Sequence, residues 1–263
     1  MKSHSIKAMM LAEITPTNPL LISESYRPST LPLFFALSRR KAPYGISRTH
    51  CLPHQPSWRF LLRNAVDPAW LGIRQADFAI CAGTVAMHHP LIGERTTILQ
   101  TCAPDVFRMD EVKPDPPYPQ PYAVFLDEAI TEPHRDYRTL AYAPPAASQY
   151  VAELHNEFAK VGIPVISSYR TPGEGSGTAN LVFHSSLVLA HSSTAVSFAV
   201  LFKKPIKILN LPCFKGRPEE RHATAMSWAL MHEDYVKRYL GTPEAMLAKR
   251  RPEELLKEYL DGL

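Results

Sequence analysis

The stretch VLAHSSTAVSFAVLFKKPI, residues 188–206, joins a short apolar run to a longer apolar segment through a polar turn. The short run predicts a buried strand, and the segment from Ser193 or Thr194 to Phe202 predicts a helix. Four polar residues form the turn between them: His191, Ser192, Ser193 and Thr194. A strand, a polar turn and a helix in this order are typical of a parallel α/β sheet, whose ligands bind beyond the carboxyl ends of the strands.

The polar turn is the first candidate for a binding site. Unpaired backbone N–H groups at the start of the helix, together with the hydroxyls of Ser192, Ser193 and Thr194, could hold a phosphate without a lysine. The alternative is that Ser192 or Ser193 only caps the helix. Both interpretations stay open at this point.

Strand and helix signals alternate along the rest of the chain. Further strands are predicted within residues 18–25, 76–84, 95–102, 122–128, 163–168 and 204–211. Helices are predicted within 29–41, 146–162 and 242–263. The helix at 146–162 places apolar side chains at helical spacing: Tyr150, Val151, Leu154, Phe158 and Val161. In the tail, Thr242 is expected to cap one helix and Pro252 to restart another.

A proline-rich stretch, KPDPPYPQPY at 113–122, predicts an extended connector and a domain boundary. We therefore expect an α/β fold with two Rossmann-like domains. In this prediction residues 1–115 form the N-terminal domain and residues 116–240 form the C-terminal domain. Residues 241–263 form C-terminal amphipathic helices.

The composition is that of a globular protein, with 263 residues, 45% of them hydrophobic and 21% charged. The net charge of +4 is scattered, which argues against nucleic-acid binding and leaves anionic small molecules or a membrane surface as partners. The basic ends 39–41 and 249–251 could touch a membrane or only complement helix dipoles. The four cysteines contain no CxxC pair, so a thiolate zinc site is not expected, and two of them are predicted to be reduced and buried. We expect a cytoplasmic protein, at the inner face of the membrane if it contacts one.

The segments HSSTAVSFAVLFKKPI (191–206), YAVFLDE (122–128) and EPHRDY (132–137) resemble a family of bacterial surface-carbohydrate biosynthesis proteins. These are glycosyltransferase-like proteins of the two-Rossmann GT-B architecture, distantly similar to UDP-N-acetylglucosamine 2-epimerases and to the glycerophosphotransferases of teichoic acid synthesis. The resemblance implies a metal-independent enzyme without a cofactor, with a nucleotide-sugar donor and a carbohydrate or lipid-linked acceptor. It also implies that residues 1–115 are the acceptor-side domain and that residues 116–240 bind the nucleotide sugar. Within the second of these domains, the residues expected to face the donor diphosphate are His191, Ser192, Ser193 and Thr194.

The chain departs from that family in two places. The family's HP-x-S-like segment is replaced by ISSYRTPGEGSGTAN (166–180), where Arg170 is the candidate substitute for the missing basic group. Fewer than 120 residues precede the connector, so the N-terminal domain is expected to be shortened. No E-x7-E pair of the kind used by many retaining transferases of this fold is found.

Two further residues are candidates for catalysis. Asp127 belongs to an acidic and histidine-containing cluster, FLDEAITEPHRD (125–136), which could supply an acid or base or could only line a cleft. His88 follows a predicted strand and a glycine turn in CAGTVAMHHP (81–90) and could act as a base on an acceptor hydroxyl. The leading hypothesis is a glycosyltransferase. The alternatives are a sugar-nucleotide 2-epimerase or hydrolase on the same fold, and a non-catalytic binding protein.

Overall fold

The computed structural model describes residues 14–15, 18–23, 30–51, 53, 66–119, 121–126, 144–168, 177–191, 193–210, 215 and 218–263. These residues divide into two compact units. The first contains those up to Cys51, those from Val66 to Pro104, and Val236–Leu263. The second contains Pro53 and those from Asp105 to Tyr235.

The described ranges contain two sets of short parallel strands. The strands of the first unit are β1 (Leu20–Ile22), β2 (Tyr44–Arg48), β3 (Phe78–Ala82) and β4 (Thr97–Thr101). Those of the second unit are β5 (Ala123–Phe125), β6 (Val165–Ser167), β7 (Leu187–Ala190) and β8 (Ile206–Ile208). Each set forms a four-stranded sheet, in the order β1-β2-β3-β4 and β6-β5-β7-β8. All six pairings are parallel, so the fold is α/β with two parallel sheets.

Helices connect and flank the strands. In chain order they are α1 (Leu31–Arg39), α2 (Thr84–Met87), α3 (Pro104–Arg108), α4 (Pro144–Lys160), α5 (Thr178–His184), α6 (Val196–Leu201), α7 (Pro218–Leu230), α8 (Pro243–Ala248) and α9 (Pro252–Asp261). A 3₁₀ turn at Pro68–Leu71 precedes β3, and a π-helix at Val236–Leu240 precedes α8. No helix within the described ranges is both long and apolar enough to cross a bilayer.

In the first unit, β3 is the central strand and every one of its residues is buried. A continuous apolar run such as FAICA is typical of a parallel strand covered on both faces. Cys81 lies in β3 and Cys102 follows β4, and both are buried free thiols, as the sequence predicted. Burial raises the pKa of the Cys81 thiol to about 12, so it stays protonated.

The sequence did not predict β2, because YGISR contains a glycine and an arginine in a five-residue run. Gly45 is required there by a close approach rather than by its backbone angles. A Cβ atom at Gly45 would lie 2.2 Å from ring atoms of Phe78 on the adjacent strand. The aromatic ring of β3 thus occupies the space that a side chain at residue 45 would need.

In the second unit, α4 packs its apolar face on the sheet as predicted. Its side chains Tyr150, Val151, Leu154 and Phe158 contact the core cluster formed around β5 and β6. Val161 is exposed, in contrast to the prediction, because the helix ends at Lys160 and Gly162 turns the chain away with a φ of 74°.

The proline-rich stretch is attached to the second unit through α5. The Lys113 N–H donates to Asn180 Oδ1 at 2.9 Å, and the Tyr122 hydroxyl donates to the Leu181 carbonyl at 2.8 Å. The two compact units meet along the chain between Pro104 and Asp105 and again between Tyr235 and Val236. The tail helices α8 and α9 contact β4 in the first unit. The domain limits expected from the sequence stay a prediction.

Candidate functional site

The order of strands reverses within the second sheet. From β5 the chain passes to β6 on one side and then to β7 on the other, so β5 and β7 are neighbours from which the connections diverge. Such a switch point leaves a crevice beyond the carboxyl ends of the two strands, and ligands of open α/β sheets bind there. The turn at 191–194 directly follows β7, which ends at Ala190.

The turn after β7 is longer than the sequence predicted. The helix was expected to start at Ser193 or Thr194 and to run to Phe202, but α6 covers only Val196–Leu201. Ser193 is buried, and its Oγ accepts from the Ala195 N–H at 3.3 Å. Thr194 is exposed. The serine therefore stabilises the turn itself, while the threonine faces solvent.

The amides around the helix start are already bonded within the chain. The N–H groups of residues 196, 197 and 198 donate to the backbone carbonyl oxygens of residues 193, 194 and 195, respectively, at 3.1 to 3.3 Å. This corrects the expectation of unpaired N–H groups in the first turn. The short i to i+3 bonds of a tight turn use the donors that a longer helix would present to an anion.

His191, the first residue of the turn, is buried, with 1% of its surface exposed. Burial lowers the pKa of its imidazole to about 4, with a smaller contribution from the nearby His222 side chain on α7. His191 is therefore neutral at pH 7 and supplies no positive charge to a phosphate. His222 was not predicted as a site residue, because no local motif connects it with residue 191.

A buried carboxylate supports the same turn from α3. Asp105 is 7% exposed, and its Oδ2 accepts a short hydrogen bond from the hydroxyl of Ser197. The same hydroxyl lies 2.9 Å from the Thr194 carbonyl oxygen. Asp105 thus holds Ser197, whose backbone N–H donates to the Thr194 carbonyl. Asp105 was not among the predicted site residues because it lies 92 positions from Ser197, although an acid after Pro104 is a recognisable helix start.

Among the other predicted residues, the structure describes only His88, and it does not join this turn. His88 is exposed and follows α2 in the first unit. The neighbouring His89 uses its Nδ1 to accept from the Leu91 N–H at 3.2 Å. Asp127, Arg170 and Ser192 lie outside the described residues. The structure therefore brings together His191, Ser193 and Thr194 and leaves His88 in the other unit.

Two other features bear on ligand binding. Across the described part of the chain, no group of three or more histidine, cysteine, aspartate or glutamate side chains is placed to hold a metal ion. A cavity of about 530 Å³ lies in the first unit, between β4 and the tail helices. Gln100, Glu244 and Arg250 are among the residues that line it, so this cavity is separate from the turn after β7.

Comparison with known proteins gives no family for this chain. No protein-family model and no curated protein matches the sequence. Among solved structures, a UDP-N-acetylglucosamine 2-epimerase from Rickettsia bellii is similar over 98% of this chain and 78% of its own, with 14% identity and a TM-score of 0.42. A glycosyltransferase from Rickettsia africae is similar over 97% and 79%, with 10% identity and a TM-score of 0.40. The forosaminyltransferase SpnP is similar over 86% and 68%, with 15% identity and a TM-score of 0.38.

Proposed function

We propose that the chain is a glycosyltransferase of GT-B-like architecture that binds a nucleotide-activated sugar at the carboxyl edge of its second sheet. The observation that carries the proposal is the reversal of strand order at β5 and β7, with a polar turn directly after β7. This is the position at which open α/β sheets bind nucleotides.

The hydrogen bonds within the turn determine which of its groups can bind the diphosphate of the donor. Since the amides of 196–198 are bonded within the chain, the exposed hydroxyl of Thr194 is the best-placed described donor for the diphosphate. The bond between Asp105 and Ser197 holds the residue whose N–H is bonded to the Thr194 carbonyl, so the backbone of the turn is ordered before a ligand binds. Ser192, Arg170 and Asp127 complete the site in this proposal, and His88 acts as the base on the acceptor hydroxyl.

The first test is nucleotide binding measured by calorimetry with UDP, CMP, GDP and ADP. Thr194→Val removes the hydroxyl with almost no change in shape, and we expect about tenfold weaker binding, the value of one hydrogen bond to a charged group. Ser186→Ala is the matched control, because Ser186 is an exposed hydroxyl just before the amino end of β7. Equal affinities for both variants, or no binding of any nucleotide, would refute the proposal.

Product analysis separates the transferase from the epimerase or hydrolase. NMR spectroscopy of UDP-N-acetylglucosamine incubated with the protein alone shows a change at C2 only for an epimerase and free sugar only for a hydrolase. A transferase releases UDP at its full rate only when an acceptor is added. His88→Gln should then lower the rate of transfer by about a hundredfold while nucleotide binding is unchanged, as expected for loss of a general base.

A further inference from the structure

An exposed aromatic and apolar turn lies at one edge of the first sheet. The 3₁₀ turn Pro68–Leu71 places Trp70 with 80% of its surface exposed, next to the partly exposed Leu71. Asp67 caps the turn by accepting from the Ala69 N–H at 2.8 Å, and Gly72 ends it with a φ of 69°. The tryptophan is thus held outward by an ordered turn.

A basic cluster lies beside this turn. Arg39, Arg40 and Lys41 are exposed at the carboxyl end of α1, and Lys41 takes a left-handed φ of 51° where the helix stops. The preceding residue, Ser38, accepts from the Arg74 N–H at 2.7 Å. This bond joins the end of α1 to the segment that follows Trp70.

Arg74 and the buried Tyr44 hold the end of α1 and the segment after Trp70 in fixed positions relative to each other. The Arg74 guanidinium donates to the Ala42 carbonyl and pairs with Asp77, and it also lies 5.5 Å from the centre of the Tyr44 ring. The Tyr44 hydroxyl donates to the Arg74 carbonyl. Because Arg74 and Asp77 pair with each other, the net charge of the described segments 38–42 and 67–77 comes from the basic cluster, opposed by Asp67.

These residues lie at the amino edge of the sheet, that is, at the end where its parallel strands begin. The basic cluster directly precedes β2, and the tryptophan turn precedes β3. The other basic segment, Lys249–Arg251, lies at the opposite, carboxyl edge, because the Arg250 carbonyl accepts from Thr101 Oγ1 at the end of β4. The two basic segments considered for membrane contact, 39–41 and 249–251, therefore lie at opposite ends of the strands of this unit.

We propose that the amino edge of the first unit docks on an anionic lipid bilayer, with Trp70 and Leu71 in the headgroup layer and Arg39, Arg40 and Lys41 on lipid phosphates. Tryptophan prefers the interfacial layer because its ring is apolar and its N–H still finds a partner there. Reversible anchoring needs two weak signals together, and this edge has an apolar and a basic one. The proposal does not depend on nucleotide binding.

The test is sedimentation of the full chain with vesicles. Vesicles of phosphatidylcholine alone are compared with vesicles in which a third of the lipid is phosphatidylglycerol. Trp70→Ala should weaken binding to the anionic vesicles about tenfold. Arg40→Gln with Lys41→Gln should weaken it about twentyfold or more, since each cation near an anionic surface contributes about fivefold.

Both variants have matched controls in this chain. Trp228→Ala removes another tryptophan, 61% exposed on α7 of the second unit. Lys249→Gln with Arg251→Gln removes one lysine and one arginine from the other edge and lowers the net charge equally. Both controls should bind as the unchanged protein does, and all four variants should unfold at its melting temperature.

Three outcomes overturn the proposal. The first is no sedimentation of the unchanged protein with anionic vesicles. The second is an equal loss in the test and control variants, which indicates attraction by net charge alone. The third is retention on polyglutamate without vesicle binding, which indicates an acidic polypeptide as the partner.

Discussion

His191→Gln should change how the stability of the protein depends on pH. The buried imidazole has its pKa lowered to about 4 in the folded chain, against 6.5 for an ordinary histidine. The unfolded chain therefore binds a proton at this residue between pH 6.5 and 4, whereas the folded chain does not. Stability contributed by the neutral imidazole is fully present above pH 6.5 and is lost as the pH falls toward 4.

The size of the effect follows from the two pKa values. The whole difference corresponds to about 3 kcal/mol, at about 1.36 kcal/mol per pH unit. Between pH 7 and pH 5 the loss from this residue alone is about 2 kcal/mol. Glutamine keeps a polar amide of similar reach but does not titrate, so the variant should lack this part of the acid sensitivity.

Urea unfolding at pH 7 and pH 5 measures the difference. The free energy of unfolding of the unchanged protein should fall by about 2 kcal/mol more than that of His191→Gln over this range. His232→Gln, which removes an exposed histidine, should behave as the unchanged protein does. If His191→Gln and the unchanged protein lose the same free energy between the two pH values, His191 is not buried and neutral as the structure indicates.

Three further substitutions test individual packing and hydrogen-bond contacts of the two units. Gly45→Ala should lower the free energy of unfolding by about 1–3 kcal/mol, because the new methyl group meets the Phe78 ring, whereas Gly177→Ala, in open space, should change little. Ser197→Ala should cost about 2 kcal/mol in urea unfolding by leaving the buried Asp105 carboxylate without its hydroxyl donor, and a cost near zero would show that Asp105 is solvated. Thr242→Ala removes the side-chain cap of α8 and should cost about 1 kcal/mol, and an unchanged melting temperature would contradict that role.

Apolar patterning was sufficient to predict most strands of both sheets. Runs such as FAICA and LVLA are continuous because both faces of a parallel strand are covered, and this leaves a signal in the sequence. The tail was also predicted correctly, with Thr242 as a cap and Pro252 as the first residue of α9, because these signals are local. By contrast, β2 has no continuous apolar run, because the Phe78 ring requires a glycine at residue 45, and that contact leaves no local signal in the sequence.

In the candidate site, too, contacts between distant segments could not be predicted from local sequence patterns. The position of the polar turn after β7 could be predicted, since it depends on residues that follow one another. The start of α6 could not, because bonds to the Ser193 and Thr194 carbonyls delay the helix. The support from Asp105 and the influence of His222 come from distant segments, so no spacing rule could have found them.

The return of residues 236–263 to the first unit has a consequence for synthesis on the ribosome. The Ala103 N–H is bonded to the Leu240 carbonyl, and Cys102 Sγ lies 3.1 Å from the Ala245 carbonyl oxygen, so these partners of β4 are translated well over a hundred residues after it. The second unit, residues 105–235, can therefore fold before the helices that cover the first sheet have been translated. A premature stop shortly after Tyr235 would therefore damage the part of the protein that was made first.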